Sequence, residues 1–128
     1  MKLKDDFFKI NDSCQTATGM DYTIALNPDH FIYRAHFPEN PITPGVCIIQ
    51  IVKELSEEML NRKLFLKKVN NVKFLNVVNP LENKEVTFSV SVSSEGEGAY
   101  KVGAVVSHAN DQFAKLSLLF VNQQLVNQ

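Results

Sequence analysis

A histidine, three prolines and a glycine fall within ten residues of one another in His36-Phe37-Pro38-Glu39-Asn40-Pro41-Ile42-Thr43-Pro44-Gly45-Val46. An imidazole at this place could take or give a proton near neutral pH. Each proline fixes its own φ and steers the residue before it away from helix, so the segment reads as a stiff, extended arm. Thr43 suits an N-cap and Pro44 the first helical position, where a missing N–H costs nothing. Gly45 and Val46 would then present first-turn N–H groups at the positive end of a helix dipole. A base carried beside a helix terminus that can stabilise negative charge is the layout of an active site.

The element that follows the arm is a helix over Gly45–Asn61. Ile48, Ile51, Val52, Leu55 and Met59 recur at helical spacing and give a continuous apolar stripe. The first two turns are apolar almost all round, which predicts enclosure. Lys53, Glu54, Glu57, Glu58 and Asn61 mark a solvated edge in the second half. Strands are predicted at Phe7–Gln15, Thr16–Leu26, Phe65–Phe74, Lys84–Ser94, Ala99–Ala109 and Phe113–Asn122, several with clear period-two alternation. His30–His36 also reads as extended. Turn chemistry lies at Asn27-Pro28-Asp29, Asn79-Pro80, Glu95–Gly98 and Asn110-Asp111, and Gln123–Gln128 reads as a frayed tail.

Strands, one long helix, then four successive antiparallel strands make an α+β chain. A single long helix held by a curved antiparallel sheet is the hotdog arrangement, and 128 residues fit one such domain over 1–128. The chain is 45% apolar and 21% charged with a net charge of −1, so nothing global favours nucleic acid or an anionic membrane. Cys14 and Cys47 lack metal-ligand spacing and read as reduced thiols. No signal-peptide core and no membrane-length apolar run is present, which points to a soluble, cytoplasmic protein.

The string His36-Phe37-Pro38-x-x-Pro41-x-x-Pro44-Gly45-Val46 resembles the active-site signature of bacterial 3-hydroxyacyl-acyl carrier protein dehydratases. Val72-Lys73-Phe74 through Val78-Asn79-Pro80 is similar, less specifically, to that family's strand and loop after the helix. The resemblance implies a dimer with active sites at its interface, either a homodimer or a heterodimer with another dehydratase. It implies a 3-hydroxyacyl thioester substrate, carried on acyl carrier protein or coenzyme A through phosphopantetheine, and no metal or other cofactor. By position, His36 would remove the C2 proton and the Gly45 N–H would hold the thioester oxygen, which agrees with the exposed first-turn N–H read above. Val46 and Phe37 would contact substrate.

The sequence departs from that family at one catalytic position. Where the family has Glu or Asp this chain has Gln50, and where the family has Gln it has Glu54; the two share a helical face. An amide can orient a leaving hydroxyl but cannot protonate it. Three readings follow: Glu54 acts as a displaced acid, His36 returns its own proton, or the site is weak and the chain a binding or partner subunit. A thioesterase of the same fold is a further alternative. His30 and His108 read as surface residues. Cys47 reads as core packing or a substrate contact, and Phe31, Tyr33 and Phe37 as tunnel lining or ordinary core. Arg62, Lys63, Lys67, Lys68 and Lys73 read as a docking patch for an acidic carrier or as lysines blunting a strand edge.

Overall fold

The structure is a computed structural model that describes residues 1–35 and 39–123. Its elements are β1 (Phe8–Gln15), β2 (Gly19–Leu26), α1 (Phe31–Ala35), α2 (Gly45–Leu60), β3 (Leu64–Phe74), β4 (Glu85–Ser94), β5 (Ala99–His108) and β6 (Asp111–Asn122). The strands form one sheet in the order β1-β2-β4-β5-β6-β3, with every neighbouring pair antiparallel. Alternation along the strands decides which face carries the core. Tyr22, Phe88 and Val106 line up across three strands, as do Val90, Ala104 and Leu116, and all six are buried.

Against this face lies α2, whose Cys47, Ile48, Ile51, Val52 and Leu55 are buried and which packs on β4 and β3. One long helix on one face of a six-stranded antiparallel sheet is the hotdog fold that the order of elements predicts. Asn61 ends α2 in the left-handed conformation (φ 52°), and its N–H donates to the Glu57 carbonyl. Left-handed backbone at a helix end suits glycine or asparagine. The Glu57 carboxylate then accepts from the Leu64 N–H at 2.9 Å, which fixes where β3 starts.

Several local expectations are overturned. Residues 31–35 are helical, although the arm before Pro38 reads as a strand. The Ile32 N–H donates to His30 Nδ1 at 3.1 Å, so His30 caps this helix, and its Nε2 lies 3.2 Å from Asp6. His30 is only 6% exposed and packs edge-on against Phe7, so it is a core residue and not a surface one. His108 is exposed, as expected. At the start of α2, Pro44 is the N-cap residue, with Gly45 first in the helix, and no side chain among the described residues caps the turn. Val46 is 65% exposed, so the first turn is not enclosed all round. His36, Phe37 and Pro38, and the tail from residue 124, lie outside the described residues. Among the described residues no helix is long and apolar enough to cross a membrane.

Candidate active site

Gly45 opens α2 with an N–H for which a helix supplies no acceptor. That terminus borders a cleft of about 320 Å³ with mostly apolar walls. One wall is the end of the arm, Ile42 to Gly45, with Ile48 from the next turn; the other is the segment after β3, Phe74 to Val78. The walls are joined where the Thr43 N–H donates to the Val78 carbonyl at 2.9 Å. Asn79 adds a second tie, donating from Nδ2 to Asn40 Oδ1 at 3.0 Å. The phenyl ring of Phe74 lies against Gly45 so closely that a Cβ there would stand 2.6 Å from Cζ. Only glycine permits that approach of ring to backbone.

Thr43 does not cap the helix. Its hydroxyl pairs with the Tyr33 hydroxyl at 2.8 Å, and both residues are buried. Burial pushes the Tyr33 phenol well above its usual range, so the group stays protonated. Cys47 is also buried, and desolvation raises its thiol pKa, as for a packing residue and unlike an activated nucleophile.

Gln50 and Glu54 are brought together, but not on the cleft. Gln50 Nε2 donates to Glu54 Oε2 at 2.9 Å and to the Met1 carbonyl at 2.8 Å. The Leu3 N–H reaches both Glu54 oxygens, at 3.0 and 2.8 Å, and the Lys4 N–H donates to Oε1 at 2.8 Å. One turn further on, Glu58 pairs with the Lys4 ammonium at 2.8 Å. Gln50, Glu54 and Glu58 thus form a polar stripe that grips residues 1–4 as a strap. Glu54 is 8% exposed and does not sit on a solvated edge. Beside the strap, Glu54 borders an open, charged groove that also includes Lys2, Lys53 and Arg62.

Of the residues singled out in the sequence, Gly45 is on the cleft. Val46 beside it faces outward, and Phe31 and Tyr33 are not among the lining residues. Phe74, Leu75, Val77 and Val78 form the second wall, which the sequence marks only through its likeness to a strand and proline-containing loop. Lys67, Lys68 and Lys73 on β3, and Arg62 and Lys63 before it, are all exposed. Among the described residues no group of three or more His, Cys, Asp or Glu side chains could hold a metal ion.

The chain is similar in sequence to dehydratases and in fold to several solved structures. The chain is 28% identical over 107 residues to the 3-hydroxyacyl-[acyl-carrier-protein] dehydratase FabZ of Wolbachia pipientis wMel, covering 78% of this chain and 72% of that one. It is 26% identical over 115 residues to the FabZ of Rickettsia massiliae, covering 74% and 77%. Among solved structures, a chain of the dehydratase heterocomplex ApeI:P from Xenorhabdus doucetiae superposes with a TM-score of 0.66 at 18% identity, over 88% of this chain and 96% of that one. A mutant thioesterase from Pseudomonas aeruginosa does so with a TM-score of 0.57 at 12% identity, over 90% and 81%; likeness at these identities shows the shared hotdog fold. The family model described as ApeI dehydratase matches residues 12–115, a span that runs from β1 into β6 and includes both walls of the cleft, and the chain belongs to the ApeI-like dehydratase family.

Proposed function

We propose that the protein dehydrates a 3-hydroxyacyl thioester, delivered on the phosphopantetheine arm of an acyl carrier protein, to the trans-2-enoyl thioester. The observation that carries this reading is the Gly45 terminus of α2 opening on an apolar cleft, in a chain of dehydratase family. The Gly45 N–H would hold the thioester oxygen as charge builds on it, while His36 takes the C2 proton. The C2–C3 double bond then forms as the C3–O bond breaks, and the hydroxyl leaves with a proton as water. His36, newly protonated, can return the proton; Gln50 Nε2 lies off the cleft and already donates to Glu54 and Met1. Glu54 is less suited to be the acid, because its oxygens already accept from Leu3, Lys4 and Gln50.

A second reading is favoured by the same stripe. With an amide at position 50, the missing acid could come from a different protomer, so that this chain works as one half of a heterodimer. The dehydratase heterocomplex among its structural relatives is an assembly of that kind by name. The exposed edge strand β3, with Phe65 50% and Val69 45% exposed, offers a surface for either a second copy or such a partner. The exposed lysines on that strand suit an acidic carrier protein.

The test is turnover of a 3-hydroxyacyl carrier protein by the wild type, His36→Ala and the double swap Gln50→Glu with Glu54→Gln. Enoyl product from the wild type alone, lowered at least a hundredfold in His36→Ala, is expected for an active homodimer; general-base catalysis contributes about 10²–10⁴. Product formed only when a second dehydratase chain is added supports the heterodimer. Free acid as the product would sink the dehydratase reading and point to a thioesterase.

A further inference from the structure

A threonine hydroxyl readily accepts the N–H two residues further on, closing a local turn. Two residues after Thr43 stands Gly45. That turn would occupy the N–H on which the proposed reaction draws, and the structure does not make it. Thr43 Oγ1 points instead to the Tyr33 hydroxyl, 2.8 Å away, and no side chain among the described residues caps α2. Tyr33 and Thr43 are 1% and 5% exposed, so water is not a ready substitute partner for either hydroxyl.

Tyr33 is itself held in place. Its ring stacks on Phe7 at 5.0 Å with an interplanar angle of 18°, and its N–H donates to the His30 carbonyl at 3.0 Å. The backbone of Thr43 is fixed as well, through its N–H to the Val78 carbonyl. Rotation about χ1 is then the freedom that could swing the Thr43 hydroxyl from Tyr33 towards Gly45.

We infer that Tyr33 is a positioning residue: it holds the Thr43 hydroxyl off the Gly45 N–H and so keeps that donor open to a substrate oxygen. The use of that open donor rests on the dehydratase reading; the allocation of the hydroxyl rests on the Tyr33–Thr43 geometry. Tyr33→Phe keeps the ring and removes the hydroxyl, leaving Thr43 to find another partner. The Gly45 amide resonance should then shift and its hydrogen exchange should slow. Enoyl formation should fall about three- to tenfold, the scale of one net hydrogen bond, and mainly in kcat because charge on the thioester oxygen grows towards the transition state.

Adding Thr43→Val to Tyr33→Phe removes the competing hydroxyl and should restore kcat to within about twofold of Thr43→Val alone, a coupling expected of residues in contact. A brace that merely stiffens the arm predicts the opposite, with the double variant no faster than Tyr33→Phe. An unmoved Gly45 amide in Tyr33→Phe, or a double variant as slow as Tyr33→Phe, overturns the inference. A wild type that forms no enoyl product either alone or with a second dehydratase chain overturns the dehydratase reading instead, and the Gly45 amide still decides whether Tyr33 holds the hydroxyl.

Discussion

At the scale of single residues, Glu54 shows how a side chain that reads as solvated can be buried by contacts from far along the chain. Three N–H groups, from Leu3, Lys4 and Gln50, converge on its carboxylate. Glu54→Gln would turn an NH₂ towards one of those donors. The expected cost is about 1–3 kcal/mol, the range for leaving a buried polar group unsatisfied, measurable as a lowered urea midpoint. Enoyl formation per folded molecule should be unchanged; a loss of activity at unchanged stability would return Glu54 to the chemistry. The sequence places Glu54 among charged neighbours and so on a wet edge. Its burial depends on a strap some fifty residues away, which no local pattern carries. The hydroxyl pair of Tyr33 and Thr43 was equally illegible, because it joins an expected strand residue to an expected helix cap. Gly45 was legible as the opening of α2 because the proline directly before it belongs to an extended arm, whereas His36 lies outside the described residues.

Among elements, the contact between the start of α2 and the end of β3 is the one that shapes the cleft. Gly45→Ala would put a Cβ 2.6 Å from the Phe74 ring, and Phe74 is 52% exposed, so the ring is free to be displaced outward. Gly45→Ala and Phe74→Ala should therefore be non-additive, with the double variant more stable to urea than the sum of the single effects by about 0.5–3 kcal/mol. Additive effects would mean that the ring does not confine this glycine. The bounds of β4 and α2 were readable within a residue, since β4 alternates strictly and α2 keeps its apolar stripe, while β2 starts three residues later than its pattern suggests. The helix α1 was not readable. Five residues with aromatics at alternate positions look extended, and what makes them helical is His30 capping from before and Phe7 packing from another element.

For the whole molecule, the sheet order leaves β3 as an edge, with β6 on one side and, among the described residues, no strand on the other. An edge of 11 residues bearing Phe65 and Val69 is the surface on which the proposed dimer would pair. Val69→Asp should shift a dimer towards monomer by at least about tenfold in dissociation constant, in line with a buried unpaired charge at an interface. Sedimentation equilibrium checks this, and an unchanged mass distribution would mean the edge is not the interface. The four strands after α2 were legible from their alternation, whereas the extended reading of His30–His36 counted one segment too many before it. The spatial order of the strands was not legible, because β3 follows α2 in sequence yet pairs with the last strand.

The polar stripe also constrains how this chain can change over generations. Gln50 and Glu54 meet as one amide donor and one carboxylate acceptor, 2.9 Å apart. Reversing the two residues keeps one of each, but no single substitution gets there. Gln50→Glu alone puts two carboxylates side by side, which must share a proton or repel. Glu54→Gln alone strips the strap of its anchor. A lineage moving between the two arrangements has to cross one of these unfavourable states, so positions 50 and 54 are bound to evolve as a pair.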